Sequence, residues 1–544
     1  MIRFVALVVG ALLFKLLGGQ YFTPLSFAVA GFAFFLRYFV GADQRRQLDL
    51  FLLQFGILIY ALSNQDPSYY EHIALAFCLA PALGSPQRLR RMGGLVVGEG
   101  TALLLFAYIV WSLAWTASVD MSLAGIVMSA LCLVFLLAFV VTVEGDLGTV
   151  YRHVLQVLTA VLVASLLAGI MGYGNVLRTF AGVTLHRNQL GFLLGLLILL
   201  SLFCMRPALR WRPLRWLPLL GAVSGAALLL YADSKSTLIA IAVTALLWFI
   251  ATAKRWKLYA ALAALAAVLF VVTLPSPRMD HFAMRMGRDP TFTSRTEIWA
   301  DSVKLIEEQP FTGFGYNAVW SAFENRLGQY HNAPGPKYAH AHNAWLDWTL
   351  QLGIGGLLVY VLFLGTLLAR AIKCARTAGG FSAGDFATGV QAACLLVYVQ
   401  IYDLANVSTV PITRFGFFML AAASACLWLR SEAGRMPDVA APVPSPRIPL
   451  TRARRFGIGV ALALAAFLGA ATFAVWDDGR RFAAANEQSP PAPDGVAAAS
   501  YLEAGRFQWK SADQLHGYAH ARREELLKMM NQSVNGGANG SAAP

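Results

Sequence analysis

Apolar runs long enough to cross a bilayer succeed one another from the first residues to beyond residue 470, far more than one soluble core could hold. An α-helix needs roughly 20 mostly apolar residues to cross the hydrocarbon core. Backbone facing lipid must satisfy its own hydrogen bonds, so each run reads as a whole helical crossing. Spans are expected near residues 1–17, 22–40, 48–62, 71–84, 95–115, 121–143, 153–172, 189–205, 216–232, 236–252 and 256–274. After a long polar stretch come 343–369, 387–403, 413–430 and 456–476. The length rule gives about 12 to 15 spans, the short runs near 55 and 78 being the least secure. A composition of 58% hydrophobic and 13% charged residues fits an all-α polytopic transmembrane helix bundle and excludes a string of soluble domains.

The net charge of +14 is carried in short basic clusters between the runs, which is a topology signal and not a nucleic-acid face. With the N-terminus inside, Arg45 and Arg46 fall on the cytoplasmic side, as do Arg88, Arg90 and Arg91, and Arg206, Arg210, Arg212 and Arg215. So do Lys254, Arg255 and Lys257, then Arg370, Lys373 and Arg376, then Arg452, Arg454 and Arg455. Loops 63–70 and 116–120, assigned outside, hold no lysine or arginine. The implied organisation is N-terminal transmembrane helices over 1–274, a large outside loop over 275–342 with an amphipathic helix, and C-terminal transmembrane helices over 343–430. A cytoplasmic linker and last span follow over 431–476, then a periplasmic tail over 477–544.

Within the tail, 484–495 reads as a linker, 496–531 as helix-forming and the last residues as disordered. The six scattered cysteines, without a Cys-x-x-Cys pair, read as small buried residues and not as a disulfide framework or a thiolate zinc site. The first 17 residues resemble a signal peptide, but no small-x-small cleavage site follows and a second span begins at once, which favours a retained helix.

A few basic residues break the charge rule by falling outside: Arg178, Arg187, Lys235 and Arg414, with Arg278, Arg285, Arg288 and Arg295 in the large loop. Cations there either serve something anionic or anchor to lipid phosphates. The large loop carries the chemistry. From Ser294 the spacing of Trp299, Val303 and Ile306 predicts a surface helix that ends at Pro310, with Arg295 in its first turn. The segment FTGFG then makes a tight turn, and the chain re-enters the bilayer through AHAHNAWLDW with His340 and His342 at the entry.

An unperturbed histidine titrates near ~6.5, so either can accept a proton at neutral pH as a general base. The competing reading is an interfacial histidine that caps its helix or bonds a headgroup. A metal reading of His331, His340 and His342 is disfavoured because the spacing is not i, i+4 and no acidic neighbour adjoins. The same topology brings Arg187, in GVTLHRNQLG, and Ser234 and Lys235, in YADSKST, to that membrane face. Arginine forks bind phosphate oxygens bidentately, so two of them suit a pyrophosphate without a divalent metal. Lys235 alternatively just snorkels.

The segment from His342, HN then nine residues, Gly353, two residues and Gly356, resembles the histidine motif of the O-antigen ligase and Wzy-type polymerase superfamily, which includes exopolysaccharide polymerases. Arg187 within HRNQLG and Arg295 within SRTEIW fall where members carry arginines, and the resemblance covers roughly 180–425. It implies a metal-independent, inverting GT-C-type glycosyltransferase without cofactor in the bacterial inner membrane, its active site facing the periplasm. The donor would be a glycan on undecaprenyl pyrophosphate and the acceptor a glycan or lipid A core, as in lipopolysaccharide or exopolysaccharide biosynthesis. Carried over, His342 is the base, His340 assists, and Arg187 and Arg295, with Lys235, hold the pyrophosphate. Asn343, Asp403 and Asn406 are further candidates. The span count and the extra helix at 456–476 depart from the pattern. A polymerase shares this site and differs in its acceptor. A flippase would place ionisable residues at mid-membrane depth and often show internal symmetry, and neither is evident in the sequence.

Overall fold

The computed structural model describes residues 2–17, 19–62, 73–173, 175–176, 179–184, 186–208, 217–232, 234–252, 295–319, 340–376 and 383–433. The first helices are α1 (Ile2–Leu17), α2 (Gly19–Leu36), α3 (Ala42–Leu62), α4 (Leu75–Cys78), α5 (Ala80–Leu83), α6 (Pro86–Gly98) and α7 (Gly100–Trp111). Then come α8 (Val119–Thr142), α9 (Leu147–Ile170), α10 (Arg187–Ala208), α11 (Leu217–Ala232) and α12 (Lys235–Thr252). After these follow α13 (Arg295–Glu308), α14 (Ala344–Arg376), α15 (Ala383–Asp403) and α16 (Phe415–Ala433). One two-residue antiparallel ladder, Asn175 with Phe180 and Val176 with Thr179, is the extended pairing among the described residues. The architecture is the expected all-α polytopic membrane bundle.

Among the described residues four helices, α8, α9, α10 and α14, are each long and apolar enough to cross a membrane. Helix α9 is apolar on nearly every side and packs against α1, α3, α10, α11 and α16, the placement an all-round hydrophobic helix requires. Its Thr159 returns its hydroxyl to the Leu155 carbonyl at 2.7 Å, which pairs that buried hydroxyl within the helix. Two expected spans differ. The run at 71–84 forms only two single turns, α4 and α5, the second opening on Ala80-Pro81, too short to cross. The run at 95–115 straddles a 77° bend at Glu99, its first residues ending α6 and the rest forming α7. Spans 256–274 and 456–476, the linker and tail, His331 and loop 63–70 lie outside the described residues.

Helix α14 is broken at Gly353 (φ 65°, ψ −172°), and the break is filled by protein. The carbonyls of Leu350 and Gln351 accept from Phe314 N–H at 3.0 Å and Gly315 N–H at 2.9 Å. In return, Ile354 N–H donates to the Pro310 carbonyl at 2.8 Å and Gly355 N–H to that of Phe311 at 3.4 Å. The FTGFG turn thus takes the place of one turn of helix and satisfies the backbone groups that the break frees. A Cβ on Gly313 would sit 2.5 Å from the Gly353 nitrogen, so only glycine allows the approach. The turn is clasped from the other side as well: Trp115 Nε1 donates to the Thr312 carbonyl at 2.8 Å and Ala117 N–H to that of Phe314 at 2.8 Å.

Helix α13 is therefore fixed at its C-terminal end. Its buried side is Ile298, Asp301, Ser302 and Leu305, while Val303 is exposed, so the face expected from Trp299, Val303 and Ile306 is rotated by about one position. The correction has a local cause: Trp299 points its indole N–H at the Ala341 carbonyl (3.0 Å), and that bond sets the helix rotation. At the other end of α14, Arg370 pairs with buried Glu99 and donates to Ser424 Oγ at 2.8 Å and the Gly98 carbonyl at 3.0 Å. The pairing places Arg370 at the level of the Glu99 bend, next to the helix that carries Arg88, Arg90 and Arg91.

Candidate functional site

The turn 340–344 is held at every residue. His342 N–H donates to His340 Nδ1 at 3.1 Å, and the two rings touch at a centroid distance of 4.2 Å. A neutral His340 that accepts at Nδ1 carries its proton on Nε2, so it is presented as a donor there and not as a base. Ala341 donates its N–H to Asp347 Oδ1 at 3.4 Å and accepts from Trp299 through its carbonyl. Asn343 caps α14, its Oδ1 accepting from the N–H groups of Trp345 (2.9 Å) and Leu346 (3.3 Å). His342 itself adopts φ 51°, a left-handed conformation uncommon for a residue with a Cβ. Such backbone persists where its surroundings over-determine it, at a cost of about 1–3 kcal/mol, and clusters at functional positions.

The next link is Asn406. Its carbonyl accepts from Ala344 N–H at 3.1 Å, its Oδ1 accepts from Asn188 Nδ2 at 3.0 Å, and its Nδ2 donates to Ser236 Oγ at 2.6 Å. One residue thereby joins the starts of α14, α10 and α12. Arg187 is the first residue of α10, capped by His186, whose Nδ1 accepts from Asn188 N–H at 3.1 Å. Lys235 is the first residue of α12, behind buried Ser234. Arg295 is likewise the first residue of α13, which Trp299 ties to Ala341; the Arg295 side chain lies outside the described residues.

Cations at helix N-termini oppose the macrodipole, by about 0.3–1 kcal/mol each at exposed positions. Three of them among four converging helix starts raise the positive potential where backbone N–H groups already favour an anion. Arg187, Lys235, His340, His342, Asn343 and Asn406 thus stand on segments that hydrogen bonds join, while Asp403 is turned away from them. Asp403 is buried and turned into its own loop, one oxygen accepting from Ser408 N–H at 2.7 Å and the other from Thr409 Oγ1 at 2.5 Å. It shapes the loop that carries Asn406. Asn188 and Ser236 were not singled out from the sequence, since each acts through Asn406, distant in the chain; Trp299 was read only for the spacing of its helix, and Asp347 was not read as part of the site.

Removal of the Asn406 side chain leaves two polar partners without their bonds, at about 1–3 kcal/mol. Asn406→Ala is therefore expected to lower the thermal midpoint in detergent, whereas an unchanged midpoint would show that these helix starts are held elsewhere.

With this geometry in view, residues 220–361 match the family model described as O-antigen ligase. That range includes Lys235, α13 and the turn with His340 and His342; Arg187, Asp403 and Asn406 lie beyond it. The resemblance to the O-antigen ligase and Wzy-type superfamily holds. Among curated proteins, the exopolysaccharide production protein ExoQ of Rhizobium meliloti (strain 1021) is 25% identical over 299 residues. The match takes in 50% of this chain and 65% of the relative, just under two thirds of its length.

Proposed function

We propose that the chain is a membrane glycosyltransferase that moves a glycan from undecaprenyl pyrophosphate to an acceptor hydroxyl at the periplasmic face of a bacterial inner membrane. The observation that carries this reading is the meeting around Asn406 of three helix starts, two with a leading cation and one preceded by His342, with the Arg295 helix α13 tied to the same turn through Trp299 and Ala341. In the proposed reaction His342 takes the proton of the acceptor hydroxyl as its oxygen attacks the anomeric carbon. The bond from that carbon to the pyrophosphate oxygen breaks with inversion, and Arg187, Arg295 and Lys235 hold the departing charge. His340 donates from Nε2 to an oxygen of the reacting groups, and Asn343 sets the helix start. Guanidinium groups fill the place a divalent metal takes in other pyrophosphate sites.

Two acceptors fit. Transfer to lipid A core or a similar hydroxyl is the ligase reaction, which the family model's description favours. Extension of a chain on its carrier lipid is the polymerase reaction, which the name of the exopolysaccharide production relative favours. Sizing of envelope glycans in a deletion strain complemented with wild type or His342→Ala separates them. Glycan missing from lipid A core while long chains persist on the carrier means ligase; accumulated single repeat units mean polymerase; unchanged glycans remove the reading.

Lysine in place of Arg187 keeps the charge and loses the fork. Loss of one charge-assisted bond of about 1.5–3 kcal/mol predicts a fall in kcat/KM for the donor of about 10- to 100-fold. Wild-type kinetics for Arg187→Lys would show that it contacts no phosphate bidentately.

A further inference from the structure

Between Arg3 and Arg37 the sequence has one charged residue, Lys15, in the last turn of the otherwise apolar α1. A lysine there has two ordinary occupations, binding the last carbonyls of its own helix or snorkelling to the interface. It does neither in a simple way. Its Nζ crosses to the Thr184 carbonyl at 3.2 Å, in the turn that ends at His186 and launches Arg187. Thr184 is itself held: its hydroxyl donates to the Ala181 carbonyl at 2.7 Å, and its N–H reaches the same carbonyl at 3.0 Å. Lys15 is half-buried, and among the described residues it forms no ion pair. A desolvated ammonium with a single carbonyl partner keeps two donors and a full charge to spend on an anion.

We infer that Lys15 is a further cation of the phosphate-binding mouth, reaching the same polyphosphate group as Arg187 from the α1 side. This rests on the reading of that mouth as a pyrophosphate site. The Thr184 carbonyl orients the ammonium, and the phosphate oxygens supply the counter-charge that no ion pair among the described residues provides. Lysine suits the position because a point charge on a flexible stem can follow a phosphate as it leaves, while the arginine fork fixes it beforehand.

The test is binding of farnesyl pyrophosphate and of inorganic pyrophosphate to the full-length protein in phosphatidylcholine nanodiscs, for wild type, Lys15→Gln and Lys15→Arg. The expected result is a Kd about tenfold higher for Lys15→Gln with both probes, largely restored in Lys15→Arg, at an unchanged thermal midpoint. Equal Kd values for wild type and Lys15→Gln overturn the inference, as does a lowered midpoint with unchanged Kd, which marks a purely structural lysine. Selective loss of bound phosphatidylglycerol in Lys15→Gln, read by native mass spectrometry with pyrophosphate binding intact, overturns it in favour of a lipid headgroup. If wild type binds neither probe, the pyrophosphate reading of the whole mouth fails, a result separate from any behaviour of Lys15.

Discussion

His342→Ala is expected to lower glycan transfer about 10²- to 10⁴-fold, the range for loss of a general base, while the protein stays inserted and keeps its donor affinity. The turn that carries His342 is held by backbone groups and by its neighbours: His340 Nδ1, the Trp299 indole, Asp347, the Asn343 cap and the Asn406 carbonyl. Deletion of the imidazole leaves those bonds in place. One confounding effect is conformational, because φ 51° suits alanine poorly. His342→Asn removes it, since asparagine tolerates the left-handed region but is no base at neutral pH. Transfer rates with pre-bound donor should fall equally in both variants. Recovery in His342→Asn would assign the loss to backbone strain, and full activity in both would remove His342 as the base. A matching His340→Ala protein should keep more activity, because His340 is presented as a donor and not as a proton acceptor.

What the sequence disclosed and what it concealed divide along one line. The helical class followed from run length alone, because nothing but whole crossings satisfies a backbone in lipid. The gathering of Arg187, Lys235 and His342 at one end of the bundle followed from counting crossings and the side of each basic cluster. Features set by distant partners stayed hidden. Asn406 was a weak candidate because its three partners, at Asn188, Ser236 and Ala344, are scattered over the chain. Lys15 drew no reading from the sequence, since its partner is a backbone carbonyl with no signature there. The face of α13 was read one position off because periodicity ranks Trp299 as core, while the structure uses it as a hydrogen-bond donor at the rim. The run at 71–84 counted as a span on hydropathy, and only the chain's short turns around Pro81 show why it does not cross.

Gly353→Ala is expected to abolish transfer from a distance, and the reason is geometric. A Cβ at Gly353 would lie 2.2 Å from the Phe311 carbonyl oxygen, a backbone atom that cannot swing aside, in a conformation of φ 65° and ψ −172° that is close to glycine-only. Alanine is also the strongest helix former, so the least costly response is for α14 to close into a continuous helix and expel the 310–315 segment. Expulsion removes the four backbone bonds that fill the break, and with them the C-terminal anchor of α13. Trp299 then loses its fixed reach to Ala341, and Arg295 its place beside the histidine turn. Limited proteolysis should cut the variant within residues 295–319 where wild type resists, with transfer lost and membrane insertion intact. Gly365→Ala is the control: it lies on the same helix with no atom within 4 Å of the added Cβ, and should be neutral or slightly stabilising. Wild-type transfer together with wild-type protease resistance in Gly353→Ala would show that docking of the FTGFG turn is not what brings α13 to the site, and would detach Arg295 from the proposed chemistry.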